Sequence, residues 1–210
     1  LPKDLHSRVR RLQVHNENVE QALAGQRAAV NLPGLETEQI DRGDLLCFPD
    51  TLRVSTSVEA TLALLPDAPK SLANRTRVRF HLGTAEILAR VILLDREKVN
   101  PGEEAYAHLR LERPTAAMFQ DRYVLRSYSP ATTVGGGIIL DPYPSLKRRR
   151  RPEVVAHLKI LERGSSRDRL LELLKGSGTS PPSLSLLLQP CEVLAAPLPS
   201  AMIVYSLRSR

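Results

Sequence analysis

Residues 77–84 read Arg77-Val78-Arg79-Phe80-His81-Leu82-Gly83-Thr84, in which polar and apolar side chains alternate until a glycine-containing turn. Alternation with a period of two is typical of a strand that buries one face. Residues 86–95 continue with a second apolar-rich segment directly after the turn. The two segments therefore predict a pair of strands joined around Gly83-Thr84.

Short segments of the same kind recur along the first two-thirds of the chain, separated by turns such as Pro33-Gly34 and Pro101-Gly102. The further predicted strands cover residues 9–15, 28–32, 45–48, 58–65, 105–111, 122–128 and 138–140. Many short strands with Gly and Pro between them indicate an all-β barrel or sandwich. The run Gly135-Gly136-Gly137 leads into a strand, which favours a bulge or a tight barrel corner.

The order of these segments predicts four regions. Residues 1–52 hold about three strands, too few to close a barrel, and are expected to be the C-terminal part of one. Residues 53–144 hold about six strands, enough for a complete small barrel. Residues 145–175 are expected to form a basic linker and two short helices, and residues 176–210 form a tail rich in Pro and Ser. The fold class is therefore mainly β.

Composition and charge exclude several classes of protein. No apolar run approaches the roughly 20 residues of a membrane-spanning helix, so no membrane partner is expected. Cys47 and Cys191 are the two cysteines, which fits a reducing, cytoplasmic location. The net charge of +7 comes mainly from residues 147–151, KRRRR, because residues 1–146 are neutral overall. Such a run attracts phosphates, although a solvated linker is an equal interpretation. The opening Leu1-Pro2-Lys3 suggests an internal start.

Sequence motifs for catalysis are absent. The chain contains no G-x-x-x-x-G-K-[ST] phosphate loop, no pair of Cys or His at metal-binding spacing, and no G-x-S-x-G element. Arg75, Arg77 and Arg79 instead alternate along one predicted strand, which would place three guanidinium groups on one face. Such a basic face suits a nucleic-acid backbone, and the alternative is ion pairing with Asp or Glu on neighbouring strands.

Particular segments resemble translation factors. His15-Asn16, residues 24–27 (AGQR) and residues 39–44 (QIDRGD) are similar to the second domain of translational GTPases. Residues 77–84, and residues 122–137 with their Ser129-Pro130 turn, look specifically like the third domain of bacterial selenocysteine-specific elongation factors (SelB). The resemblance covers about residues 8–163, and its most distinctive string is 126–141. Another member of the translational GTPase superfamily is the alternative that this string argues against.

The resemblance implies a function. Members of this family deliver selenocysteinyl-tRNA to the ribosome at UGA codons in a GTP-dependent way. Their second and third domains hold the tRNA, and their C-terminal winged helices bind an mRNA hairpin. GTP and Mg²⁺ are implied for an intact family member, but no cofactor is expected in this chain, and any GTPase activity stays open. An alternative is a non-catalytic barrel scaffold that packs on a GTPase domain.

The resemblance also implies which residues contact the tRNA. His15 and Asn16 match the region near the aminoacyl end, where an imidazole could bond to an ester carbonyl or favour a selenolate. The other candidates match segments that face the tRNA backbone, and they are Arg77, Arg79, His81, Thr84, Arg126, Ser127, Tyr128 and Ser129. A structural interpretation stays open for several of them, such as a hydrogen-bonded sheet histidine at His81 or a partly buried Tyr128. No catalytic or metal-ligating residue is predicted.

Overall fold

A computed structural model describes residues 1–144 and 151–176 of the chain. Its strands and helices are β1 (Arg11–Val14), β2 (Glu17–Val19), β3 (Ala28–Asn31), β4 (Val54–Leu64), β5 (Leu72–Ala73), β6 (Arg77–Leu82), β7 (Ala85–Leu93), β8 (Lys98–Val99), β9 (Glu104–Ala116), β10 (Arg122–Ser127), β11 (Thr133–Asp141), α1 (Arg151–Arg163) and α2 (Ser166–Gly176). The predicted mainly β fold with a short helical segment is confirmed. The basic residues 147–150 and the tail 177–210 lie outside the described residues.

Six strands close into an antiparallel barrel in the order β10-β11-β4-β9-β7-β6. Alternate side chains of every strand point inward, so the interior is filled by one cluster of apolar residues, with Phe80 and Leu62 among those fully buried. The ring centroids of Phe80 and Tyr123 lie 5.2 Å apart. The hydroxyl of Tyr123 donates to the backbone oxygen of Thr61 at 2.7 Å, which satisfies the polar end of this buried ring.

The predicted hairpin at residues 77–95 is confirmed. Strands β6 and β7 pair from Arg77↔Arg90 to Leu82↔Ala85, and Gly83 and Thr84 form the turn. β4 begins at Val54, so the barrel starts where the sequence changes from the polar turns of residues 49–53 to a long apolar-rich strand.

The glycine run 135–137 lies within β11, in continuous register with Val124 and its neighbours on β10. The ladder irregularities lie beside the run, at Leu125/Arg126 and Ile139/Asp141, and the predicted bulge is therefore displaced from the glycines. Close backbone approach explains the glycines instead. A Cβ atom on Gly137 would lie 1.9 Å from the backbone oxygen of Thr61.

The first 52 residues form the three-stranded sheet β2-β1-β3 rather than a closed barrel. The predicted strand at residues 45–48 is wrong. Leu45 instead exchanges backbone hydrogen bonds with Leu1, at 2.8 and 2.9 Å, and Pro49-Asp50 ends the segment in a turn. The preceding turn packs on the barrel, because a Cβ on Gly43 would lie 2.8 Å from the Cα of Ala85.

The two helices pack on the outside of the barrel. Val154, Leu158 and Leu161 of α1 are buried against Phe119 and Leu140, as the helical spacing of these residues predicts. In the described ranges, neither α1 nor α2 has the length and apolar character needed to cross a membrane.

Candidate nucleic-acid interface

The outer face of β6 carries polar side chains, as its alternation predicts. Arg77, Arg79 and His81 are part-exposed, and the residues between them point into the core. Arg75 does not share this face, which corrects the predicted row of three arginines on one strand. Arg75 lies in the turn before β6 with a φ of 66°, and its side chain is exposed there.

Both arginines of β6 form ion pairs with carboxylates on other strands. Arg77 makes a forked contact with Glu112 of β9, at 2.8 and 2.7 Å, and Arg79 pairs with Glu86 of β7. The hydrogen bond from Arg77 holds the pKa of Glu112 below its ordinary value. Both arginines therefore form the ion pairs that the sequence analysis gave as the alternative to binding a nucleic-acid backbone. All four side chains remain part-exposed to solvent.

Tyr128 connects the predicted loop to β6. Its ring centroid lies 4.9 Å from the guanidinium carbon of Arg77 and 5.7 Å from that of Arg79. Arg79 Nε also donates to the backbone oxygen of Tyr128 at 3.2 Å. About half of Tyr128 remains exposed, so the ring contacts two cations and stays partly accessible to solvent.

Arg126 and His81 each carry a ring or guanidinium nitrogen without a hydrogen-bond partner among the described residues, although His81 Nε2 lies 3.9 Å from a carboxylate oxygen of Glu86. Arg126 lies opposite Arg79 in the β10–β6 ladder, and His81 lies opposite Glu86 in the β6–β7 ladder. Arg126 Nε and His81 Nε2 are shielded from solvent and make no hydrogen bond within the described chain. Nitrogens of this kind need an acceptor, and a bound anion would supply one.

The charges around His81 favour its neutral form. Burial lowers the pKa of His81, Glu86 opposes this shift, and the guanidinium groups of Arg126, Arg79 and Arg42 lower the pKa further. Arg42 belongs to the turn that packs on the barrel, and no sequence pattern predicts it as a tRNA-binding residue.

We call Arg77, Arg79, His81, Arg126 and Tyr128 the barrel patch.

The remaining loop candidates have local roles. The hydroxyl of Ser127 lies 2.9 Å from Thr132 Oγ1, accepts from Thr132 N at 3.2 Å and donates to the backbone oxygen of Pro130. It thereby closes the turn that follows β10. Ser129 is exposed in the bend beside Tyr128.

Thr84 lies at the junction between the barrel and the N-terminal segment. It lines a cavity of about 30 Å³ together with Asp44, Thr115 and Asp121. That volume holds about one water molecule. Thr84 therefore faces residues 43–45 of the same chain as well as the outer surface.

His15 and Asn16 form the two-residue turn between β1 and β2. Their φ values are 52° and 67°, and Val14 pairs with Glu17 across the turn. Two successive positive φ angles define a type I′ turn, so β1 ends at Val14 and the predicted strand at 9–15 is too long at both ends. Both side chains are exposed, and no hydrogen bond or ion pair of the described residues joins them to the barrel patch.

No group of three or more His, Cys, Asp or Glu in residues 1–144 and 151–176 is arranged to hold a metal ion. Glu86, Glu112 and Arg42 are the residues of this site that sequence analysis missed. Glu112 and Arg42 are distant in sequence from Arg77 and His81, and Glu86 lies seven residues from Arg79 on the next strand. An alternating pattern on one strand does not identify the side chains of its neighbours in the sheet.

The closed six-stranded barrel with its charged outer face defines an antiparallel β-barrel domain. Residues 58–146 match the family model of the selenocysteine-specific elongation factor β-barrel domain. The chain shares 40% identity over 178 residues with the selenocysteine-specific elongation factor of Desulfomicrobium baculatum, covering 85% of this chain. It shares 32% over 160 residues with that of Escherichia coli, covering 76% of this chain.

A crystal structure of the bacterial selenocysteine-specific elongation factor EF-Sec has the same fold, with a TM-score of 0.71, 22% sequence identity and 91% of this chain covered. The chain belongs to the selenocysteine-specific elongation factor family. It spans 28% of the length of the Desulfomicrobium relative, 24% of the Escherichia relative and 29% of the EF-Sec chain.

Proposed function

We propose that this chain is the tRNA-binding part of a factor that delivers selenocysteinyl-tRNA to the ribosome at UGA codons in a GTP-dependent way. Family membership supports the class of partner. The observation that carries the proposal is the pair of shielded nitrogens in the barrel patch, Arg126 Nε and His81 Nε2, that make no hydrogen bond among the described residues.

A backbone phosphate of the tRNA would fit these donors. Arg126 would supply a charge-assisted hydrogen bond, and Arg79 beside it would add a second positive charge. Because the lowered pKa of His81 keeps its imidazole neutral near pH 7, His81 would act as a hydrogen-bond donor rather than as a cation. Tyr128 would stack its exposed face on a ribose or base. Contacts of this type read backbone and shape, not base sequence.

The hairpin turn at His15-Asn16 is proposed to contact the aminoacyl end of the same tRNA. Its two side chains are exposed on a type I′ turn, which leaves the imidazole accessible to an ester carbonyl or a selenolate. Selection of selenocysteine would then depend on the N-terminal segment, and affinity for the tRNA body would depend on the barrel patch.

GTP-dependent delivery would need groups that this sequence does not contain. The 210 residues have no phosphate-binding loop, so GTP and Mg²⁺ would be held by other residues of an intact factor. Contact with the ribosome is proposed for the intact factor, and recognition of an mRNA hairpin is assigned to winged-helix domains of such a factor.

A scaffold that packs on a GTPase domain is the second candidate. The internal ion pairs Arg77–Glu112 and Arg79–Glu86 favour it, because they partly neutralise the face that would bind RNA. The two candidates differ in salt dependence. RNA binding through phosphates weakens steeply with added salt, whereas an apolar packing surface does not respond.

The test is a filter-binding titration of the 210-residue chain with selenocysteinyl-tRNA and with an ordinary aminoacyl-tRNA at two salt concentrations. Salt-sensitive binding supports the proposal, and a preference for the first tRNA supports the role of His15-Asn16. Arg126→Gln should weaken binding about tenfold or more, the range for a lost charged hydrogen bond.

Arg122→Gln is the matched control, because Arg122 lies on the same face of β10 and is exposed. It should leave the affinity nearly unchanged. Equal losses for Arg122→Gln and Arg126→Gln, or no binding by a folded sample, would contradict the proposed site.

A further inference from the structure

Three arginines lie side by side on the outer face of three neighbouring strands. Arg77 of β6 pairs in register with Arg90 of β7, and Arg90 pairs in register with Arg110 of β9. Residues directly opposite each other in an antiparallel ladder point to the same side of the sheet. We call Arg77, Arg90 and Arg110 the arginine row. It runs across the strands, so the alternation along any one strand does not indicate it.

Two members of the arginine row, Arg90 and Arg110, have no carboxylate within hydrogen-bonding distance among the described residues. The side chains of Arg90 and Arg110 are exposed, and neither makes a hydrogen bond or an ion pair with another described residue. Glu112 binds Arg77 and also lies close enough to Arg90 for its pKa to be lowered by that charge. One carboxylate therefore faces two of the three guanidinium groups, and the row keeps an excess of positive charge.

Like charges directly opposite each other on neighbouring strands destabilise a sheet. Two such pairings lie in one line, and the carboxylate of Glu112 offsets only the pairing of Arg77 with Arg90. Strands lie about 4.8 Å apart, so the row presents three charges over roughly 10 Å. An extended polyanion that crosses the strands would contact all three guanidinium groups.

We propose that the arginine row binds the phosphodiester backbone of RNA and extends the barrel patch across β7 and β9. This inference rests on the proposed function, since Arg77 belongs to both the patch and the row and makes them one surface. Continuity with the barrel patch is the reason for choosing RNA over an acidic protein, and the flat, exposed guanidinium groups suit phosphate oxygens.

The experiment measures the affinity of the full 210-residue chain for aminoacyl-tRNA across a salt series, comparing wild type with the double variant Arg90→Gln/Arg110→Gln. Each phosphate contact contributes roughly 0.7–0.9 to the slope of log K against log salt, so the double variant should lower that slope by about 1.5. When salt rises from about 50 to 200 mM, both chains lose affinity for the tRNA. The fold-loss of the double variant should be roughly ten times smaller than that of wild type.

Lys70→Gln/Lys98→Gln is the matched control. It removes the same charge from two exposed lysines, one before β5 and one in β8, neither of which belongs to the row. The control should keep the wild-type slope. Arg90→Lys/Arg110→Lys keeps both charges on the row and should restore most of the slope, which separates lost charge from lost folding.

The outcomes distinguish this inference from the proposed function. If Arg126→Gln weakens binding while Arg90→Gln/Arg110→Gln behaves like the lysine control, the row is excluded and the proposed function stands. If the wild-type chain shows no salt-dependent binding, both fail. If the row variant loses binding to poly-L-glutamate but keeps its slope with tRNA, the row is a protein-binding surface and the inference is overturned.

Discussion

Nδ1 of His157, on α1, lies 3.1 Å from a carboxylate oxygen of Glu172, on α2. The other ring nitrogen, Nε2, lies 3.8 Å from Oδ2 of Asp141 at the end of β11. One buried imidazole therefore lies between two carboxylates from different elements and joins both helices to the last strand of the barrel.

Replacing His157 by Ala should loosen the helical pair. The change removes the link between the two carboxylates, although Glu172 keeps Lys175 and Asp141 keeps the backbone nitrogen of Tyr143. The free energy of unfolding should fall by about 1–3 kcal/mol, the range for removing one partner of a buried polar contact. Urea unfolding measures this loss, and amide hydrogen exchange should show it first in α2.

His6→Ala is the control, because His6 is exposed and contacts only the exposed Asp4 among the charged groups of the described chain. Its unfolding free energy should stay within about 0.5 kcal/mol of wild type. Equal stability of the two variants would show that His157 does not hold the helices to the barrel.

Gly137→Ala should damage the barrel more than a change at an open glycine. The added methyl would lie 1.9 Å from the backbone oxygen of Thr61, so β11 and β4 would have to separate. We expect a loss of roughly 3 kcal/mol or more, at the upper end for overpacking. Thermal unfolding followed by circular dichroism measures it.

Gly34→Ala provides the comparison, since nothing lies within 4 Å of the added atom and only its φ of 80° is unfavourable. That strain costs about 1–2 kcal/mol. A Gly137→Ala chain as stable as Gly34→Ala would exclude close strand approach as the reason for the glycine run.

Glu112→Gln should strengthen tRNA binding. The substitution removes the carboxylate that occupies the Arg77 fork and also lies near Arg90. Affinity at low salt should rise by roughly twofold to fivefold, because one negative charge leaves the surface that meets the phosphates. The melting temperature should change little, since the pair is exposed.

Glu104→Gln tests the specificity of that effect. Glu104 is exposed on the same strand but lies at its opposite end. A gain of the same size for Glu104→Gln would reflect net charge alone and would remove Glu112 from the interface.

Binding should also depend on pH through His81. Burial lowers the pKa of His81 below its ordinary value of 6.5, and Arg126 and Arg79 add to this shift against the opposing effect of Glu86. A phosphate beside Nε2 would stabilise the protonated ring, so affinity should rise as pH falls below 6.5. Filter binding at about pH 7.5 and 5.5 measures the change.

Lower pH should have the opposite effect on the stability of the fold, which should decrease. Because the folded chain binds a proton at His81 less readily than the unfolded chain, this contribution to stability is present above pH 6.5 and is lost as pH falls through the lowered pKa. His81→Gln should remove both dependences, and His6→Gln should keep them. A pH profile of binding that His81→Gln leaves unchanged would exclude the imidazole from the phosphate site.

Much of the fold could be predicted from local pattern. Alternation along residues 77–82 indicates which side chains of β6 face the core, and the spacing of Val154, Leu158 and Leu161 indicates the buried side of α1. The strand predicted at 45–48 is absent, because a four-residue apolar run has too little periodicity to separate a strand from an extended loop. The alternation of residues 9–15 predicts a strand that includes His15, because type I′ turns favour Asn and Gly and only Asn16 carries that signal.

The sequence by itself determined the mainly β class, the hairpin at Gly83-Thr84, the two helices and the outward position of Arg77, Arg79 and His81. Each of these follows from propensities and periods within about a dozen residues. Only the tertiary structure decided that Glu112 reaches Arg77, that Arg126 lies opposite Arg79, and that Arg90 and Arg110 continue the line of charge. Those relationships depend on strand order and register, which are set by closure of the barrel around its core. They cannot be predicted from the residue pattern of any single strand.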